Sequence, residues 1–141
     1  MERQCAGFGT LELLVSVSIA ALLAGVTVPI CKALLEGSRL RSQARLFAQH
    51  IDAFAAIAKL RERTVVVSVF PTLYQLTNAA AGGELLSQHK LPQGITARAA
   101  EITLYPSGAL SPGRVELRSG QRMCEVIVAL RGRTTVLCEE E

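Results

Sequence analysis

Glu12 is a single carboxylate at the front of a long uncharged run. From Leu13 to Cys31 no side chain carries a charge, and about 20 apolar residues are enough to cross a bilayer as a helix. A carboxylate in that position is costly unless it lies at headgroup level or meets a positive partner. The plain reading is a headgroup-level residue in an ordinary membrane anchor. The functional reading is half of an ion pair waiting for an amine. Gly7-Phe8 can supply that amine. If the chain is cut between these residues, the new α-amine at Phe8 lies one helical turn from Glu12, and it is also within reach of Glu12 on a neighbouring chain.

Little other chemistry is visible. Cys5, Cys31, Cys124 and Cys138 show no C-x-x-C spacing and no adjacent histidine, which argues against a zinc site. His50 and His89 stand isolated. There is no G-x-x-x-x-G-K-[ST] phosphate loop, no Ser-His-Asp or Cys-His arrangement and no acidic cluster fit for calcium. The chain therefore reads as non-enzymatic, without a metal or cofactor. Half of its residues are apolar, only 4% are aromatic, and the formal charge is +3. Arg114, Arg118, Arg122, Arg131 and Arg133 gather in the last third, diluted by Glu116, Glu125 and Glu139–Glu141. A solvated surface is the plain reading of that mixture, and contact with phosphates or anionic lipid is the alternative.

The elements that must position these residues follow from periodicity. Gly25 and Pro29 interrupt the apolar run, and proline removes a backbone donor and crowds the preceding turn, so a kink near Pro29 is expected. Gly37-Ser38 is a second weak point. Beyond it, Leu40, Ala44, Phe47, Ile51, Phe54 and Ala58 recur at steps of three and four, one apolar stripe on an amphipathic helix suited to lie under a sheet. A helix from Thr10 to Arg63 would span about 80 Å. The period then changes. Thr64–Phe70 and Thr72–Asn78 read as strands, Pro71 marking an edge. Ala79–Gly83 reads as a loop, and Glu84–Gly94 as irregular. Ile95–Ala99, Glu101–Tyr105 and Arg114–Arg118 follow as strands, with Val115 and Leu117 facing the core, and Met123–Ala129 with Thr134–Cys138 form a hairpin around Gly132. A helix followed by antiparallel strands is an α+β architecture.

The N-terminus does not suit a cleaved secretory signal. Ala6-Gly7 precede the apolar core, and Pro29-Ile30-Cys31-Lys32 after it makes a poor cleavage site, so the helix should stay attached. Gly7-Phe8, Glu12-Leu13-Leu14-Val15, the alanine-rich apolar helix and Val28-Pro29 together resemble the class III leader of type IV pilins and type II secretion pseudopilins. The resemblance implies that a membrane prepilin peptidase cuts after Gly7 and N-methylates Phe8. It further implies that Glu12 pairs with the amine of an adjacent subunit. Two departures are Gly9-Thr10-Leu11, where the family usually has Thr-Leu-Ile, and a leader in which Glu2 offsets Arg3. Farther on, Ile102–Gly108, Gly113–Leu117 and Val126–Val128 with Arg131-Gly132-Arg133 resemble the GspH/FimT group of minor pseudopilins. Residues 72–94 match nothing in that pattern.

The expected organisation is a leader over 1–7, a membrane and assembly helix over 8–31, an amphipathic helix over 32–63 and an antiparallel β domain over 64–141. The expected fold is pilin-like α+β. The implied protein is a minor pseudopilin of a type II secretion machine, single-pass in the bacterial inner membrane with its domain in the periplasm. Its implied partners are other pilins or pseudopilins, through the N-terminal helix, and the prepilin peptidase. The alternative is a minor type IV pilin that binds DNA during uptake, for which Arg131 and Arg133, with Arg114 and Arg118, are the candidate residues.

Cys124 and Cys138 fall on the two strands of the last hairpin. If they oppose one another, Val126 opposes Val136 and Val128 opposes Thr134, all on one face. Opposed positions of the non-hydrogen-bonded kind lie within reach of a disulfide. The other possibility is two buried thiols.

Overall fold

The computed structural model describes residues 9–80 and 83–139. The chain divides into two compact units, Met1–Leu35 and Glu36–Glu141. Helix α1, Thr10–Leu60, supplies all the described secondary structure of the first unit and continues into the second.

In the first unit the described side chains of α1 are exposed, including Leu11, Leu14, Leu22 and Leu23. The helix is long and apolar enough to cross a membrane by length and composition. Three of its hydroxyls are satisfied internally. Ser16 donates to the Glu12 carbonyl at 2.8 Å, Ser18 to the Leu14 carbonyl at 2.7 Å and Thr27 to the Leu23 carbonyl at 2.5 Å. Bonding back to the carbonyl four residues earlier is how Ser and Thr survive in an apolar helix without an unpaired donor.

In the second unit α1 presents the stripe that periodicity predicts. Leu40, Ala44, Phe47, Ile51, Phe54 and Ala58 are all buried. Gly37 and Ser38 lie within the helix and do not break it. Gly37 serves a close approach instead. A Cβ there would fall 1.7 Å from Nη1 of Arg122, whose guanidinium lies against the helix.

The helix closes with the two hydrogen bonds of a Schellman turn: Arg63 N–H to the Ala58 carbonyl at 3.1 Å and Glu62 N–H to the Lys59 carbonyl at 3.3 Å. The residue this motif needs in left-handed backbone is usually glycine. Here it is Glu62, at φ 50°.

Among the described residues eight strands follow: β1 Val65–Val69, β2 Leu73–Asn78, β3 Leu85–Lys90, β4 Thr96–Ala97, β5 Ala100–Leu104, β6 Gly113–Ser119, β7 Arg122–Val128 and β8 Thr134–Cys138. They form two four-stranded sheets, ordered β3-β2-β1-β5 and β4-β6-β7-β8, with every pair antiparallel. Alternation places Val65, Val67 and Val69 of β1, Ile102 and Leu104 of β5, Val115 and Leu117 of β6, and Val126 and Val128 of β7 in one core with the helix stripe. An isolated bridge between Leu104 and Leu110 and Ser111 N–H to the Thr103 carbonyl at 2.8 Å tie β5 to the segment that leads into β6.

One expectation is corrected in part. Within 84–94, Leu85–Lys90 is not irregular but forms β3, which pairs with β2, Tyr74 opposite His89 and Leu76 opposite Ser87. As the outer strand of its sheet, β3 is half-buried at most and carries Ser87 and His89 on its inward positions, so it lacks the apolar alternation that marks a strand in sequence.

Left-handed backbone costs a residue with a Cβ about 1 kcal/mol. Glu62→Gly is therefore expected to raise the unfolding free energy by about that amount. Urea denaturation of both forms checks this, and an unchanged or lower midpoint would show that the turn is not strained.

Candidate functional site

The site expected at the N-terminus is partly in view. Gly7 and Phe8 lie outside the described residues. Glu12 occupies the first turn of α1, where the partial positive charge of the helix N-terminus favours a carboxylate. Its N–H donates to the Gly9 carbonyl at 2.9 Å. Its side chain is exposed and has no ion-pair partner among the described residues. Gly25 and Pro29 both fall inside α1, and they are one helical hydrogen bond apart. Pro29 has no N–H to give to the Gly25 carbonyl, and the carbonyl its ring crowds is that same one.

The terminal hairpin forms in the register that places the cysteines opposite one another: Cys124↔Cys138, Val126↔Val136 and Val128↔Thr134. Glu139 N–H bonds the Met123 carbonyl at 3.1 Å, which makes the neighbouring Cys124–Cys138 pair one of the closely spaced, non-hydrogen-bonded kind. The two are disulfide-bonded, with Cα atoms 4.0 Å apart. Cys124 is buried and Cys138 half-buried. Cys31, on α1, is free and exposed. A covalent loop of this length contributes about 3 kcal/mol by restricting the unfolded chain. Cys124→Ala/Cys138→Ala is therefore expected to lower the unfolding free energy by about 2–3 kcal/mol while keeping the far-ultraviolet dichroism of the fold. A midpoint equal to that of the parent protein would remove the bond from the list of stabilising interactions.

The hairpin turns through Gly132 at φ 77°. Gly132 N–H bonds the Ala129 carbonyl at 3.0 Å and Ala129 N–H bonds the Arg133 carbonyl at 2.9 Å. This is a type I turn closed by a left-handed glycine. Arg131 and Arg133 flank that glycine, both exposed and without an ion pair among the described residues. The other two candidate arginines are engaged elsewhere. Arg114 pairs with Glu125 at 2.8 Å, and Arg118 with Glu116 at 3.2 Å. Arg98 reaches the same Glu116 at 3.2 Å. The outer face of this sheet is thus a lattice of compensating charges and not a basic surface.

A cluster that the sequence gives no sign of lies between α1 and the other sheet. His50 and His89, isolated in sequence, have ring centroids 4.5 Å apart. His50 Nδ1 hydrogen-bonds the Tyr74 hydroxyl at 2.5 Å, and His89 Nε2 meets Ser87 Oγ at 3.0 Å. The Tyr74 ring stacks on His89 at 5.3 Å and receives Phe47 edge-on at 4.9 Å. Burial, and secondarily the neighbouring His89, hold the pKa of His50 below its ordinary 6.5. Burial pushes the Tyr74 hydroxyl up to about 12. The signal for this cluster is long-range: His50 sits beside the apolar stripe, and His89 sits on a strand that periodicity does not reveal.

The sign of the pH effect follows. A histidine that resists protonation when folded gives stability that is full above 6.5 and lost as pH falls from there through the folded value, because the unfolded chain binds the proton first. Urea midpoints should fall as pH drops below 6.5, and His50→Gln should flatten that slope. An equal slope in the variant would assign the effect to other groups.

A long helix followed by two antiparallel sheets and a terminal hairpin defines a pseudopilin-like α+β fold. Among solved structures, the chain is similar to the minor pseudopilin EpsH from the type 2 secretion system of Vibrio cholerae, with a TM-score of 0.59 and 15% sequence identity. The likeness covers 71% of this chain and 97% of that one. At that identity it is a likeness of fold. No protein-family model matches the chain, and no curated protein matches it.

Proposed function

We propose that this chain is a minor pseudopilin, a structural subunit of a type II secretion machine. The observation that carries the proposal is Glu12. An exposed carboxylate without a partner of its own begins an uncharged stretch of helix over Leu13–Cys31, and that helix leads into a domain of pseudopilin-like fold. In an apolar surrounding such a group is costly unless a positive charge meets it, and a neighbouring chain's amine can supply one. In this reading the prepilin peptidase cuts after Gly7 and methylates the amine of Phe8, and the neighbour's amine pairs with Glu12. The helix anchors the chain in the inner membrane before assembly. The orphan carbonyl of Gly25 beneath Pro29 is the point at which it would bend or loosen. The domain faces the periplasm, an oxidising space where a disulfide such as Cys124–Cys138 persists. The chain would contribute assembly, while the machine moves the cargo.

The alternative, a DNA-binding subunit of an uptake pilus, draws support from the exposed Arg131 and Arg133. Against it, Arg114 and Arg118 are already paired with carboxylates, so few of the candidate arginines are available to neutralise phosphates.

Glu12→Ala is expected to abolish or strongly reduce recovery of the chain in sheared filaments, while leader processing and the fold of residues 36–141 stay intact. Incorporation at the parental level would defeat the assembly role of Glu12. A Gly7→Asp form that still loses its leader would defeat the processing step.

A further inference from the structure

The C-terminus of α1 lies at one end of the domain, where four chain segments meet. Ala79 N–H bonds the Thr64 carbonyl at 3.1 Å, just after the helix. Val65 pairs with Leu104, which leads into the turn closed by Tyr105 N–H to the Ala109 carbonyl at 2.9 Å. Leu110 N–H then bonds the Leu130 carbonyl at 3.2 Å, and Gly132 abuts the Gly108 carbonyl. The segment after the helix, the loop after Asn78, the turn after Tyr105 and the turn of the terminal hairpin are therefore tied together.

This end has an unusual surface. Lys59, Arg61, Arg63, Arg131 and Arg133 are all exposed, and none makes an ion pair among the described residues. Only Glu62 and Glu84 bring acid to the described part of these segments. Among the cations stand three large apolar side chains turned to solvent: Leu60 at 83% exposure, Leu130 at 60% and Tyr105 at 44%. The helix dipole accounts for cations in and just beyond the last turn of α1. It does not account for Arg131 and Arg133 on a separate hairpin, nor for Leu130 and Tyr105.

We propose that this end of the domain is a docking surface for an acidic protein partner. Leu60, Leu130 and Tyr105 form its apolar centre, and the arginines engage carboxylates around that centre. An apolar centre with a charged rim is the anatomy of a protein interface, and the planar guanidinium matches a carboxylate in bidentate fashion. Nucleic acid is the poorer fit: single strands are held by several stacking rings and Tyr105 is the one exposed ring on the described part of these segments, while duplex DNA would use the cations but leave Leu60, Leu130 and Tyr105 without an apolar partner. The inference does not rest on the filament reading, because it uses no residue before Lys59.

The test uses residues 36–141, which contain every buried residue of the described core. Three fluorescent probes are compared at low and high salt: a peptide of alternating glutamate and leucine, poly-L-glutamate, and duplex DNA. The glutamate–leucine peptide should bind most tightly at low salt and be released at high salt. Arg61→Glu/Arg131→Glu should weaken it by about tenfold, and Leu130→Gln by several-fold. Arg39→Glu/Lys90→Glu, which reverses the same number of charges elsewhere on the domain, should leave it unchanged. The proposal is overturned if the peptide does not bind at low salt. It is also overturned if DNA or poly-L-glutamate binds as tightly, or if the control pair weakens binding as much as the arginine pair. Melting curves confirm that each variant is folded, and the probe ranking on the unsubstituted domain decides by itself if one is not.

Discussion

Burial of one helical stripe is the interaction on which the domain depends. Leu40, Ala44, Phe47, Ile51, Phe54 and Ala58 are shared by both sheets in a single core, and neither sheet has another buried layer among the described residues. Each four-stranded sheet has one apolar face, and such a face is stable only when covered. The same helix continues N-terminally with its apolar side chains uncovered. One continuous element thus meets two requirements: a stripe where a protein core covers one side, and an all-round apolar surface where lipid or other helices must cover all sides.

That division was legible in the sequence because it is written in local periodicity. The stripe repeats at helical spacing, and Val115 and Leu117 alternate between charges, so both could be assigned from neighbours a few residues away. The Cys124–Cys138 pair was legible for the same reason, since a tight turn at Gly132 fixes the register of the strands on either side. What escaped was non-local or lacked apolar contrast. Strand β3 is held by pairing to β2, and its inward residues Ser87 and His89 are polar. The approach of His50 to His89 depends on that pairing and on the helix lying across it. The left-handed backbone at Glu62 escaped because the residue type gives no sign of it.

The electrostatics of the chain are uneven in an informative way. On the outer face of the second sheet, Arg98, Arg114 and Arg118 meet Glu116 and Glu125, and such exposed pairs contribute little to stability while cancelling the field of that face. Glu12 and the cations at the end of the domain where α1 stops have no ion pair among the described residues. Both are positions at which contact with another molecule, and not the fold, would have to supply the compensation.

The disulfide has a consequence for strand order that goes beyond thermal stability. Strand β8 is the last in its sheet, and an outer strand can slide by one residue, which turns every inward side chain outward. A covalent link at Cys124–Cys138 forbids that slide. It keeps Thr134, Val136 and Cys138 facing inward for as long as the bond lasts. It also fixes which peptide groups look outward along the open edge, because in a non-hydrogen-bonded pair the N–H and C=O groups point away from the neighbouring strand. Open edges invite pairing with other chains. Here the edge runs beside Arg41 and Arg45 of α1, and long cationic side chains are among the devices that keep such edges single. The bond therefore acts as a register pin, so that a reduced domain would lose not just stability but the definition of its own border.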